Sequence, residues 1–148
     1  MYTIKINYYD VFKEELIMSN KFEIIKNYLI DLDLKIIDEN ETEELVVVED
    51  MENGITNLII DCEDPIVILE HHIMQIPRDS EEFYKRLLQI NRTVVHGAFV
   101  IDEEGKNIFF RDTLQLENID LNELEGSIGA LSLALAENGN ELLEYAKG

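Results

Sequence analysis

The spacing of apolar residues switches repeatedly between the helical and the strand period along this chain. That order of switches restricts the fold more than any single motif. From Ser19 onward it predicts helix, three strands, helix, two strands, helix. A first helix is expected over 20–32, with Phe22, Ile25 and Leu29 on one stripe that Tyr28 and Leu32 widen. Asn20 and Glu23 have capping-box spacing at its start, and Asp31 and Asp33 oppose the helix dipole at its end. A β-like segment, 34–37, leads into an acidic turn over 38–44. Strands follow at 45–48, whose β-branched run suits burial, at 55–62, with Leu58, Ile60 and Cys62 on one face, and at 66–76, closed by Pro77. Asn53-Gly54 and Asp64-Pro65 are turn signals between them, and short turns favour an antiparallel meander.

A second helix is expected over 80–94, opened by Asp79 with Glu82 and striped by Phe83, Leu87, Ile90 and Val94, ending before Gly97. Strands at 98–101 and 107–113 flank an acidic loop closed by Gly105. A third helix is expected over 121–137, capped by Asp120 with Glu123 and striped by Leu124, Ile128, Leu131 and Leu135. Asn138-Gly139-Asn140 is expected to break it before a short last helix at 141–146. The fold class is therefore α+β: an antiparallel five-stranded sheet with helices packed against it, in the order α-β-β-β-α-β-β-α. Its expected core is Phe22, Ile25, Leu29, Val46, Val48, Leu58, Ile60, Phe83, Leu87, Ile90, Phe99, Phe109, Leu124, Ile128 and Leu131. Residues 19–148 form one domain. Residues 1–18 are an arm or extension, where Ile4, Ile6 and Tyr8 alternate like a strand while Phe12, Leu16 and Ile17 suit the start of a short helix.

Charge narrows the partners. Twelve basic and 32 acidic residues give a formal net charge of −20. No Lys or Arg lies between Lys35 and Arg78, or between Arg111 and Lys147, while acids crowd both stretches. Such fields repel phosphate backbones and anionic lipids, so neither nucleic acid nor a membrane surface is an expected partner. The same acidity also serves solubility alone. A single cysteine, no long apolar run and no signal-peptide pattern at the start give the cytoplasm as the expected address.

Chemistry leaves little trace. His71 and His72 are adjacent, so in a strand they point to opposite faces and cannot share an ion without distortion. One partly buried and one exposed histidine is the expected arrangement; the competing reading is a metal-dependent hydrolase using either histidine with nearby acids. Cys62 sits between Asp61 and Glu63, which should raise its pKa rather than activate it. The glycines sit at separate turns or inside helices and form no phosphate loop. No enzyme activity, catalytic residue, metal or cofactor is expected. One oddity is the third helix, where glycines cost about 1 kcal/mol each. Gly126, Ala130 and Ala134 stack at four-residue spacing into a smooth strip that suits close approach either of the chain's own sheet or of a second subunit, and with Gly129 they are the candidate dimer interface.

With these elements in place, the chain resembles the type III secretion chaperone-like fold, and within it the YbjN and CesT-type (Tir chaperone) families. The resemblance covers about residues 19–136. It rests on the element order, on Leu87-Leu88-Gln89-Ile90-Asn91 followed by Gly97-Ala98-Phe99-Val100, on an acidic glycine turn, and on Leu114-Gln115-Leu116 before the last helix. The resemblance implies a non-enzymatic, homodimeric, cytoplasmic protein that holds an extended segment of a client across apolar patches. Val46, Val48, Leu58 and Ile60 are the candidate partner-binding residues. A YbjN-like regulatory or structural domain without a client is the alternative.

Overall fold

The computed structural model describes residues 5 and 7–147, apart from the side chains of 14–20. Its elements are α1 (Tyr8–Asp31), β1 (Lys35–Asn40), β2 (Leu45–Asp50), a short 3₁₀ turn (Met51–Asn53), β3 (Ile55–Glu63), β4 (Ile66–Gln75), α2 (Glu81–Asn91), β5 (Ala98–Ile101), β6 (Asn107–Gln115) and α3 (Leu121–Lys147). The strands form one antiparallel sheet in the order β1-β2-β3-β4-β6-β5. The α+β architecture is as expected, with six strands rather than five. The additional strand is β1, an edge strand paired only to β2, whose acidic second half masks its β character in the sequence.

The first helix begins earlier than expected. Asn7 caps it, accepting the Tyr9 N–H at 3.1 Å, so Asn20 lies inside the helix rather than at its start. The helix does stop at Asp31: Leu32 N–H closes onto Tyr28 O, and Asp33 turns the chain at φ 62°. The alternation at Ile4 and Ile6 lies outside the described residues. The second helix is capped by Ser80, whose hydroxyl accepts the Phe83 N–H at 3.2 Å, in place of the expected Asp79. Asp120 caps α3 as expected, accepting Glu123 N–H at 2.7 Å. That helix runs through Asn138-Gly139-Asn140 without a break. Asn138 donates to Ala134 O, and beyond the glycine Leu142 is buried while Tyr145 packs on Phe83 at 4.8 Å between ring centres. Tertiary packing outweighs the helix cost of Gly139.

All three helices lie on one face of the sheet. Lys26 of α1 pairs with Glu39, which shares a face with Val46. Ser127 of α3 donates to Asp112, which lies in the row with Leu69 and Ile60. Asn91 of α2 brackets Phe99, accepting its N–H and donating to its C=O, while Arg86 reaches Glu141 of α3 at 2.7 Å. Between the layers sits the core. It contains every expected residue except Phe109; its neighbours Ile108 and Phe110 are buried instead, and Phe109 points to the other face. Three apolar residues in a row do not say which of them faces inward.

Candidate protein-binding face

The second face of the sheet is the unusual surface of this molecule. A sheet covered on one side ordinarily alternates apolar-in with polar-out. Here Leu45 and Val47 of β2, Ile59 of β3, Ile66 and Ile68 of β4, Val100 of β5 and Phe109 of β6 all point away from the helices. Each is half-buried, and none packs against the core cluster. Cross-strand register sets them in rows: Val47 opposite Ile59, Leu45 and Ile68 on either side of Asp61, and Phe109 opposite Val100. Among the described residues no helix covers them.

Polar groups punctuate this face. His72 stands edge-on to Phe109 at 5.3 Å and bonds the Asn107 side chain at 3.0 Å. Arg111 reaches Glu70, and Lys35 reaches Glu49, each at 3.9 Å. Asp61 has no such partner among the described residues. It is half-buried at mid-sheet, and its Oδ1 is covered without a hydrogen bond. Burial first, then the Glu63 and Glu43 carboxylates, push its pKa above the usual range. Burial likewise raises Glu44 at the adjoining turn.

The expected partner-binding residues lie elsewhere. Val46, Val48, Leu58 and Ile60 are at 0–1% exposure in the core under the helices, so a partner cannot touch them in this arrangement. Their odd-numbered neighbours Leu45, Val47 and Ile59 hold the accessible positions. The runs 45–48 and 66–69 announced apolarity on both faces, and periodicity cannot decide which set lies under helices. The smooth strip of α3 is divided as well. A Cβ at Gly126 would stand 4.0 Å from the His96 ring, and Ala130 and Ala134 line a crevice with Thr93, Val94 and Val95, so the chain's own α2–β5 connection occupies this side. Gly129 is open, beside a groove of about 410 Å³ that Leu32, Ile55 and Leu133 also line.

The other chemical candidates are quiet. His71 is buried, accepting the Thr56 N–H at Nε2, and His72 is exposed on the opposite face. Burial, ahead of the nearby Glu44, Asp61 and Glu63 carboxylates, pushes the Cys62 thiol up to about 12. Glu23, Glu39 and Glu41 come close enough to share an ion, but Lys26 Nζ already sits 2.7 Å from Glu23 and 2.5 Å from Glu39. No helix among the described residues is long and apolar enough to cross a membrane.

A six-stranded antiparallel sheet with helices on one side and, among the described residues, none on the other defines an open-faced α+β module. The chain belongs to the CesT_Tir_1 family, whose profile matches residues 18–148. No curated protein matches the sequence. Solved structures share the fold at low identity. YbjN from E. coli, described as a candidate transcription regulator, aligns at TM-score 0.64 and 14% identity over 82% of this chain and 92% of its own. A chain of the HopA1–SchA chaperone–effector complex aligns at 0.57 and 12%, over 80% and 94%. A chain from the structure of the Yersinia pestis secretion chaperone SycH with a fragment of YscM2 aligns at 0.53 and 14%, over 80% and 98%.

Proposed function

We propose that this chain is a non-enzymatic, cytoplasmic protein-binding module that holds an extended segment of another protein on the second face of its sheet. The observation that carries the reading is the uncovered set Leu45, Val47, Ile59, Ile66, Ile68, Val100 and Phe109. Clustered apolar side chains outside the core, here interrupted by Asp61 and by the Glu70–Arg111 pair, mark interaction sites. The edge strand β1 leaves one side of its backbone unpaired in the sheet and so offers hydrogen bonds to further chain, whereas at the other edge Asn91 takes the outward N–H and C=O of Phe99 on β5. Proteins of the same fold are chaperones in complex with protein partners, which supports the reading. Homodimerisation belongs to the same proposal.

Selection of peptides from a random displayed library against the purified chain tests it. Extended, alternating apolar peptides should be enriched, and their binding should fall about tenfold or more in Ile59→Glu and measurably in Val47→Thr, with the far-ultraviolet spectrum unchanged. A library that yields no binder favours a YbjN-like domain without a client. Binders indifferent to both substitutions place the site elsewhere and sink the proposal.

A further inference from the structure

Among the described residues, the second face carries a half-buried carboxylate, Asp61, that no cation answers. Asp61 stands between Leu45 and Ile68 in its row, two residues from Ile59 along β3. Its Oδ1 is covered without a donor, and its polar neighbours are two more carboxylates, Glu63, near enough to share a proton with it, and Glu43. The cations of this face are engaged with other acids: Arg111 with Glu70 and Lys35 with Glu49. The residues that register sets around Asp61 on this face, Leu45, Ile68, Ile59 and Glu63, include no cation. A buried acceptor without a donor is costly, and covering the face with a wholly apolar partner would raise that cost by removing the remaining water. A second copy of this chain would bring its own acids to the same place.

The geometry points to a foreign cation. Resting on the protein-binding reading above, we infer that Asp61 is the specificity anchor of the face, receiving a Lys or Arg from an extended partner segment whose neighbouring inward residues are apolar. Side chains two apart on a strand point the same way, about 6.8 Å apart, which matches the step from Ile59 to Asp61 along β3. A segment aligned with β3 therefore sets an apolar residue over Ile59 and Val47 and, two residues on, its cation over Asp61. The next inward position faces Glu63 and accepts a second cation. Alternate apolar contacts give affinity, while the ion pair fixes register and excludes segments with an acid at that position.

The test uses the full chain and a synthetic peptide of about ten residues, alternating Thr with Val and carrying one central Lys, beside its Lys→Gln and Lys→Glu counterparts. Calorimetry should show the Lys peptide binding about tenfold tighter than the Gln peptide, and the Glu peptide weakest. Asp61→Asn should erase the preference for Lys over Gln, and Asp61→Lys should transfer it to the Glu peptide. If Ile59→Glu abolishes binding of all three peptides but Asp61→Asn leaves the Lys preference intact, the anchor is refuted while the docking face survives. If none of the peptides binds, or if light scattering shows a dimer that Ile59→Glu dissolves, both the anchor and the docking of a foreign segment fail.

Discussion

His71 and His72 are neighbours in the chain and opposites in environment. His71 lies on the helix side in the row of Leu58 and Phe110, accepting the Thr56 N–H at 3.2 Å, and burial, helped by His72, lowers its pKa below the ordinary value. A group with a depressed folded pKa contributes stability that is present above its unfolded pKa, about 6.5, and lost as pH falls through the folded value. Relief of the overall negative charge on acidification acts in the other direction, so the comparison with a variant is the informative one. His71→Gln can still accept the Thr56 N–H. Wild type should be the more stable above about pH 7, and its lead in melting temperature should shrink or reverse by about pH 5.5; a constant gap across that range would refute an uncharged His71. Cys62 makes the complementary prediction. With its thiol pushed up to about 12 and its side chain buried, it should resist a thiol reagent at about pH 8 in the native protein and react at once in guanidinium. Prompt native labelling would show the β3–β4 hairpin opening.

Among the elements, the connection from α2 to β5 is the tightest constraint. Gly97 has φ 79°, and a Cβ there would meet the Phe110 ring at 2.6 Å. Gly97→Ala combines left-handed backbone strain with a clash against a buried ring, so it should cost about 1–3 kcal/mol in denaturant unfolding. Gly54→Ala and Gly105→Ala, also at positive φ but with open space, should cost less. Gly97 was legible as a stop after the second helix, as were the turns at Asn53-Gly54, Asp64-Pro65 and Gly105, because turn chemistry is local. What local chemistry does not contain was lost. The helix passing through Gly139 depends on Leu142 and Tyr145 finding partners far away in sequence, and the inward choice of Phe110 over Phe109 depends on register. Which strand residues stay accessible was lost for the same reason: Val46, Val48, Leu58 and Ile60 were recognisable as apolar strand residues, but only the placement of the helices buried them and left Leu45, Val47 and Ile59 on the other face. The N-terminal half of α1 follows different rules. Tyr8, Tyr9 and Phe12 are 71–82% exposed, and the described buried residues of the helix begin at Phe22. We propose that residues 1–18 are an extension of the domain, so a chain beginning at Ser19 should keep its fold and lose no more than a few degrees in melting temperature. Loss of cooperative unfolding would make the extension part of the core.

For the molecule as a whole, the charge of −20 acts differently on the two associations proposed for it. A basic segment is drawn to the sheet face by that field, and its binding should weaken as salt screens it. Two copies of the chain repel each other, so a homodimer should strengthen with salt. The surface available for it is narrower than the strip of small residues suggested, because the chain's own residues 93–96 occupy the side of α3 around Gly126, Ala130 and Ala134. Gly129 remains, with nothing within 4 Å of where its Cβ would stand and with Leu133 exposed one turn on. A second copy meeting α3 there approaches closely at the glycine and fills the groove that α3 forms with Leu32, Leu34 and Ile55, and a specific interface would bury roughly 1,200 Å² or more in total. Gly129→Leu fits the isolated chain, since the position is open, and obstructs only a neighbouring molecule. Light scattering at micromolar concentration should therefore give a dimer mass for the wild type, more completely at 0.5 M than at 0.05 M salt (chosen to shorten the Debye length from about 14 to 4 Å), and a monomer mass for Gly129→Leu with an unchanged far-ultraviolet spectrum. A wild type that stays monomeric in both salts refutes the dimer. A Gly129→Leu variant that stays dimeric moves the interface off α3.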